Sequence, residues 1–100
     1  MSKAQAIAAF NATFPGYDVL NSERLDQWAV SPPGYRVLLS ANTYGWTAIV
    51  VCDHPRGPRA SNDVPTIRPI DAINRALDAY RAEVADRLAI ATEAAASIGL

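Results

Sequence analysis

PIDAINRALDAYRAEVADRLAIATEAAAS, residues 69–97, is the stretch that decides the fold. Ile70, Ile73, Leu77, Tyr80, Val84, Leu88, Ala91, Ala95 and Ile98 recur at steps of three and four, which puts them on one stripe of a helix. Asp71, Asn74, Arg75, Asp78, Arg81, Asp86 and Arg87 sit between them as a wet face. Asp71–Arg75 and Glu83–Arg87 are acid-then-base pairs four residues apart, each worth roughly 0.3 kcal/mol on an exposed helix. Alanine, the best helix former, fills much of the remainder. Pro69 suits the first helical position and Asp71 its positive end, while Gly99 is a natural stop.

Such a helix spans roughly 43 Å at about 1.5 Å per residue. A compact domain of 100 residues has a diameter of roughly 33 Å. A straight helix therefore overhangs its own domain. Either it breaks or frays near Ala89–Thr92, or its end packs on another chain as in a homodimer. The stripe keeps a nearly heptad rhythm with one irregular step at Val84–Leu88.

The rest of the chain reads as what this helix lies on. Tyr35–Ala41 and Trp46–Cys52 are two strands rich in β-branched and aromatic residues. Asn42-Thr43-Tyr44-Gly45 joins them, and Gly45 can supply the positive φ of a tight hairpin. Apolar residues fall on both faces of this hairpin, so both faces are expected to be covered, with the two end helices as the covers. Ser2 can cap a first helix whose apolar face is Ile7, Phe10 and Phe14, and Pro15-Gly16 stops it. Residues 17–31 stay ambiguous: Leu25, Trp28 and Ala29 are spaced for a short helix, yet the same stretch could be a strand leading to Pro32-Pro33-Gly34. Residues 53–67, DHPRGPRASNDVPTI, read as irregular, with Val64–Ile67 as a short extra strand. The expected fold class is α+β, an antiparallel hairpin or meander sheet packed against an N-terminal helix and a long C-terminal helix. The expected core is Ile7, Phe10, Val37, Leu39, Ile49, Val51, Ile73, Leu77 and Tyr80, with Trp28 and Trp46 in or beside it.

Composition sets bounds on function. Half of the chain is apolar and 19% is charged, which gives one globular domain with a modest core. The formal net charge is −1, without the basic excess of a general nucleic-acid binder or the acidic block of a DNA mimic. The single cysteine excludes an internal disulfide and fits a reducing compartment. There is no signal-peptide pattern and no apolar run near 18 residues, so a cytoplasmic protein without membrane contact is expected.

GYRVLLSANTYGW, a loop, and then IRPIDAINRALDAY resemble the pattern of small phage proteins of the ABA-sandwich type, over roughly Gly34 to Tyr80. Those proteins have a Gly-aromatic-Arg-Val strand, a Gly-Trp strand and a Pro-initiated helix with an Ala-Ile-x-Arg-Ala core. The long final helix departs from that pattern. The resemblance implies a layered α+β fold and a phage or prophage origin, and no particular activity. By analogy, small phage proteins without catalytic motifs include inhibitors of host defence such as anti-CRISPR proteins.

Catalytic signals are weak. Cys52-Asp53-His54 places three reactive side chains in a row, but adjacent residues leaving a strand diverge, and no second Cys or His completes a zinc site. The carboxylates lie beside arginines on helices, which marks a solvated face. No metal, cofactor or catalytic residue is expected. Arg56, Arg59 and Arg68 are the suggestive set, two of them in a proline-stiffened loop suited to gripping an acidic surface. Tyr44 in the hairpin turn joins them as a candidate contact, and the exposed end of the long helix comes second. These residues point to a non-enzymatic module that binds a host macromolecule, most simply a protein complex. The alternatives are a nucleic-acid or nucleotide binder using the same arginines and Tyr44, and a structural subunit that dimerises through the long helix.

Overall fold

The computed structural model describes residues 2–22 and 26–100. The chain is α+β: helix α1 (Ser2–Thr13), strands β1 (Leu20–Asn21), β2 (Gln27–Val30), β3 (Tyr35–Asn42), β4 (Gly45–Cys52) and β5 (Arg59–Ser61), then helix α2 (Pro69–Ser97). The strands form one antiparallel meander in chain order. The ambiguous region after α1 is strand at both β1 and β2; the proposed helix position Leu25 lies outside the described residues. β2 wins because Trp28 and Val30 alternate into the core opposite Leu39 and Val37.

Both helices lie on the same face of the sheet, which corrects the expectation of a cover on each side. The buried set is one-sided: Trp28, Val30, Val37, Leu39, Trp46, Ala48 and Val50 from the sheet, Ala6, Ala9, Phe10 and Phe14 from the α1 region, and Ala72, Ile73, Ala76 and Leu77 from α2. Small alanines at the helix seam let α1 and α2 pack side by side on the strands. Ile49 and Val51, expected in the core, fall instead on the uncovered face and are half-buried, as is Ile7 on the rim of α1. Tyr80 packs against the core without being fully enclosed.

The extra strand also sits earlier than expected. It is Arg59–Ser61, paired with Ile49–Val51, whereas Val64–Ile67 contributes a single bridge between Thr66 and Trp46. Asn62 fills the gap between them. Its Oδ1 accepts from Ala48 N–H (2.9 Å) and its Nδ2 donates to the carbonyls of Trp46 (3.1 Å) and Val64 (2.9 Å). The side chain thus takes the place of a strand backbone, which explains why it is buried. Gly45, at φ +131°, is required where Thr66 crosses: a Cβ there would lie 2.5 Å from the Thr66 carbonyl oxygen.

α2 is continuous over all 29 residues and neither breaks nor loses its helical form at Ala89–Thr92. It enters with Pro69 after Thr66 and Arg68, passes its Tyr80 against Tyr35 near the far end of the hairpin (ring centroids 5.9 Å apart), and continues past the sheet. The molecule measures 55 × 26 × 23 Å. Its radius of gyration of 15.4 Å exceeds the value of about 13 Å for a compact chain of this length. The helix ends on Gly99 at φ +80°, with Leu100 N–H bonded to Ala95 O (2.9 Å) and Gly99 N–H to Ala96 O (3.3 Å). That pair of bonds is the Schellman stop, so the projecting end is terminated by its own sequence.

Candidate functional site

The structure separates the four candidate residues into two places. Arg56 and Arg59 lie at the β4–β5 turn. Tyr44 lies in the β3–β4 turn at the opposite end of β4, the end where Thr66 bridges Trp46 and α2 begins with Pro69 after Arg68. The two groups do not converge on one ligand. Arg68 is also engaged: its Nε and Nη2 each meet an Asp71 carboxylate oxygen at 3.0 Å. That fork takes Asp71 from its expected partner Arg75. It holds the Asp71 carboxyl below its usual range, chiefly through the hydrogen bond from Arg68.

The β4–β5 turn is well ordered by backbone and side-chain bonds. Gly57 N–H donates to His54 O (2.9 Å), Cys52 N–H to Pro58 O (3.1 Å), and Arg56 N–H to His54 Nδ1 (3.1 Å). Gly57 is needed because a Cβ at that position would run into Cys52 Sγ. From the helix, Arg87 reaches across with Nη1 to the Arg56 carbonyl (2.8 Å) while its Nε holds Glu83 (3.0 Å). The loop is therefore stapled to α2, and its stiffness comes from this network as well as from its prolines. Beneath it, burial and then a hydrogen bond with Cys52 push the Tyr80 phenol above its ordinary pKa. Cys52, Asp53 and His54 serve this turn, and among the described residues no three His, Cys, Asp or Glu side chains gather as a metal site.

The surface that sequence reasoning missed is the uncovered face of the sheet. In register across it run Leu20, Ala29, Leu38, Ile49 and Ser61, with Gln27, Ser40 and Thr47 forming the next row on one side. Arg36, Val51 and Arg59 form the row on the other side. Arg36, Arg56 and Arg59 have no acidic partner among the described residues, whereas Arg68, Arg81 and Arg87 are all paired. The result is an apolar band edged on one side by two free guanidinium groups, Arg36 and Arg59, with Arg56 in the adjoining turn. A shallow hollow of about 310 Å³ opens beside it, lined by Ile49, Arg59, Ala60, Ser61 and Asp63. Among the described residues no strand position on this face carries an aromatic ring, since Trp28, Tyr35 and Trp46 all point to the helices. The alternation that put Leu38, Ile49 and Val51 on a second face was the available signal; what it could not say was that both helices would choose the other side.

No helix among the described residues is long and apolar enough to cross a membrane. Compared with family models, curated proteins and solved structures, the chain matches none of them.

Proposed function

We propose that the protein is a non-enzymatic protein-binding module whose contact surface is the open sheet face with its arginine edge. The observation that carries this reading is the apolar row Leu20–Ala29–Leu38–Ile49 set beside the unpaired Arg36 and Arg59. An apolar band with two arginines along one side suits a partner protein with an apolar centre and an acidic flank. A nucleic-acid partner is less well served, since single-stranded bases stack on aromatic platforms and no described strand position on this face carries one. The likeness of residues 34–80 to small phage proteins supports placing that partner in a host cell, as a complex that the module inhibits by covering it.

The test is affinity capture from nuclease-treated host extract, followed by binding to the purified captured complex. Leu38→Glu and the pair Arg36→Glu, Arg59→Glu should each abolish binding while leaving the thermal transition nearly unchanged, because half-exposed and exposed positions contribute little to folding. Undiminished binding by both variants removes this face from the account. An affinity that falls steeply and log-linearly with salt and survives Leu38→Glu would favour the nucleic-acid reading instead.

A further inference from the structure

The second half of α2 carries an apolar seam that the rest of the chain does not cover. Val84, Leu88, Ala91, Ala95 and Ile98 follow steps of four, three, four and three, the heptad alternation. At about 100° per residue they occupy the same sector, about 80° wide, as Ile73, Leu77 and Tyr80, which pack on the sheet. Beyond the Arg87–Arg56 staple the sheet has ended. Leu88 is 67% exposed and Ile98 75%. The same face that is core for three turns is bare for the next three.

We infer that this seam is covered by a second copy of the chain, running antiparallel about a two-fold axis between residues 89 and 90. The occupant follows from the side-chain sizes. In that register Val84 lies against the partner's Ala95, and Leu88 against the partner's Ala91; symmetry gives the reverse pairs. Each of these four layers then holds one large and one small side chain, so the middle of the seam fills evenly. A parallel in-register pair would set Leu88 on Leu88 and alanine on alanine, which leaves alternate layers crowded and empty.

Charge selects the same arrangement. The last turn of α2 has no basic residue to meet its negative dipole end. The antiparallel register brings the partner's Arg81 opposite Ile98, beside that end. A parallel pair would bring two uncompensated C-termini together. Asp86 and Glu93 lie on the far side of the helix, outside the seam. Ala85, Thr92 and Ala94 flank the seam as small residues that let the helices approach closely, and Arg87, the long flanking side chain, is held by Glu83 and the Arg56 carbonyl. The contact is a short one, about 25 Å of helix, so association belongs in the micromolar range rather than the nanomolar. This inference does not depend on the sheet face, which stays open in such a dimer.

Two measurements test it. Sedimentation equilibrium should show the mass rising from 10.7 kDa towards twice that value between submicromolar and tens of micromolar. Leu88→Glu should hold it at the monomer mass with an unchanged circular dichroism spectrum. Disulfide trapping then reads the direction. Under mild oxidation, Val84→Cys protein mixed with Ala95→Cys protein should cross-link, while Val84→Cys alone should not, with the wild-type Cys52 as control. A wild-type monomer at tens of micromolar overturns the inference, and so does a Val84→Cys homodimer linked through residue 84 of both copies, which the antiparallel register does not allow.

Discussion

The two halves of α2 carry one stripe in two surroundings. Over Pro69–Tyr80 the stripe meets β4, β5 and α1, and Ala72, Ile73, Ala76 and Leu77 are buried. Over Val84–Ser97 the same rhythm continues with no sheet beneath it, and its large residues stand exposed. Periodicity is a property of the helix; burial is a property of what lies opposite. The difference teaches that an amphipathic pattern declares a need for a partner without saying whether that partner is in the same chain.

Equal substitutions in the two halves should therefore have unequal costs. Leu77→Ala, in the packed half, should destabilise by about 2–5 kcal/mol in chemical denaturation, because it opens a cavity against ordered neighbours. Leu88→Ala, measured in dilute monomer, should change stability by less than about 0.5 kcal/mol. Comparable losses at both sites would mean that the far half is covered within the chain after all.

Asn62→Ala should come next in size, at about 1–3 kcal/mol, since it strands the buried Ala48 N–H that the amide now satisfies. Arg87→Ala sharpens the comparison at the boundary. Losing the staple to the Arg56 carbonyl should leave the global transition nearly unmoved while the amides of the β4–β5 turn exchange faster.

The smallest effect concerns the start of the helix. Asp71 is held below its usual pKa by Arg68, so this pair contributes stability above the ordinary carboxylate range and loses it as pH falls through the lowered value. In an NMR titration, Arg68→Ala should raise the Asp71 midpoint back toward the usual value. An unmoved midpoint would deny the fork its role.

Much of the fold was legible because its elements are long and periodic. The Pro69 start, the run to Ser97, the Gly99 stop and the Tyr35–Cys52 hairpin all follow from local chemistry that no distant contact reverses. The layer order was not legible. Leu38, Ile49 and Val51 are as apolar as Val37 and Leu39, so alternation marked two usable faces and left the choice to the alanine seam that lets α1 and α2 sit together. β5 was misplaced because Asn62 and Thr66 replace regular pairing by one side chain and one bridge, which carry no period. Of the candidate contacts, Arg56 and Arg59 share a region because four residues of turn and strand edge hold them there. Tyr44 and Arg68 fall at the other end of β4, a separation set by strand length and topology rather than by any local signal.

Hydrogen exchange across α2 at two protein concentrations addresses the contrast between its halves most directly. Amides of residues 73–80 should exchange at the same slow rates in dilute and concentrated protein, since their cover belongs to the chain. Amides of residues 88–97 should exchange fast when dilute and markedly more slowly at tens of micromolar, where a second copy covers them. Exchange over residues 88–97 that is identical at both concentrations would contradict the account.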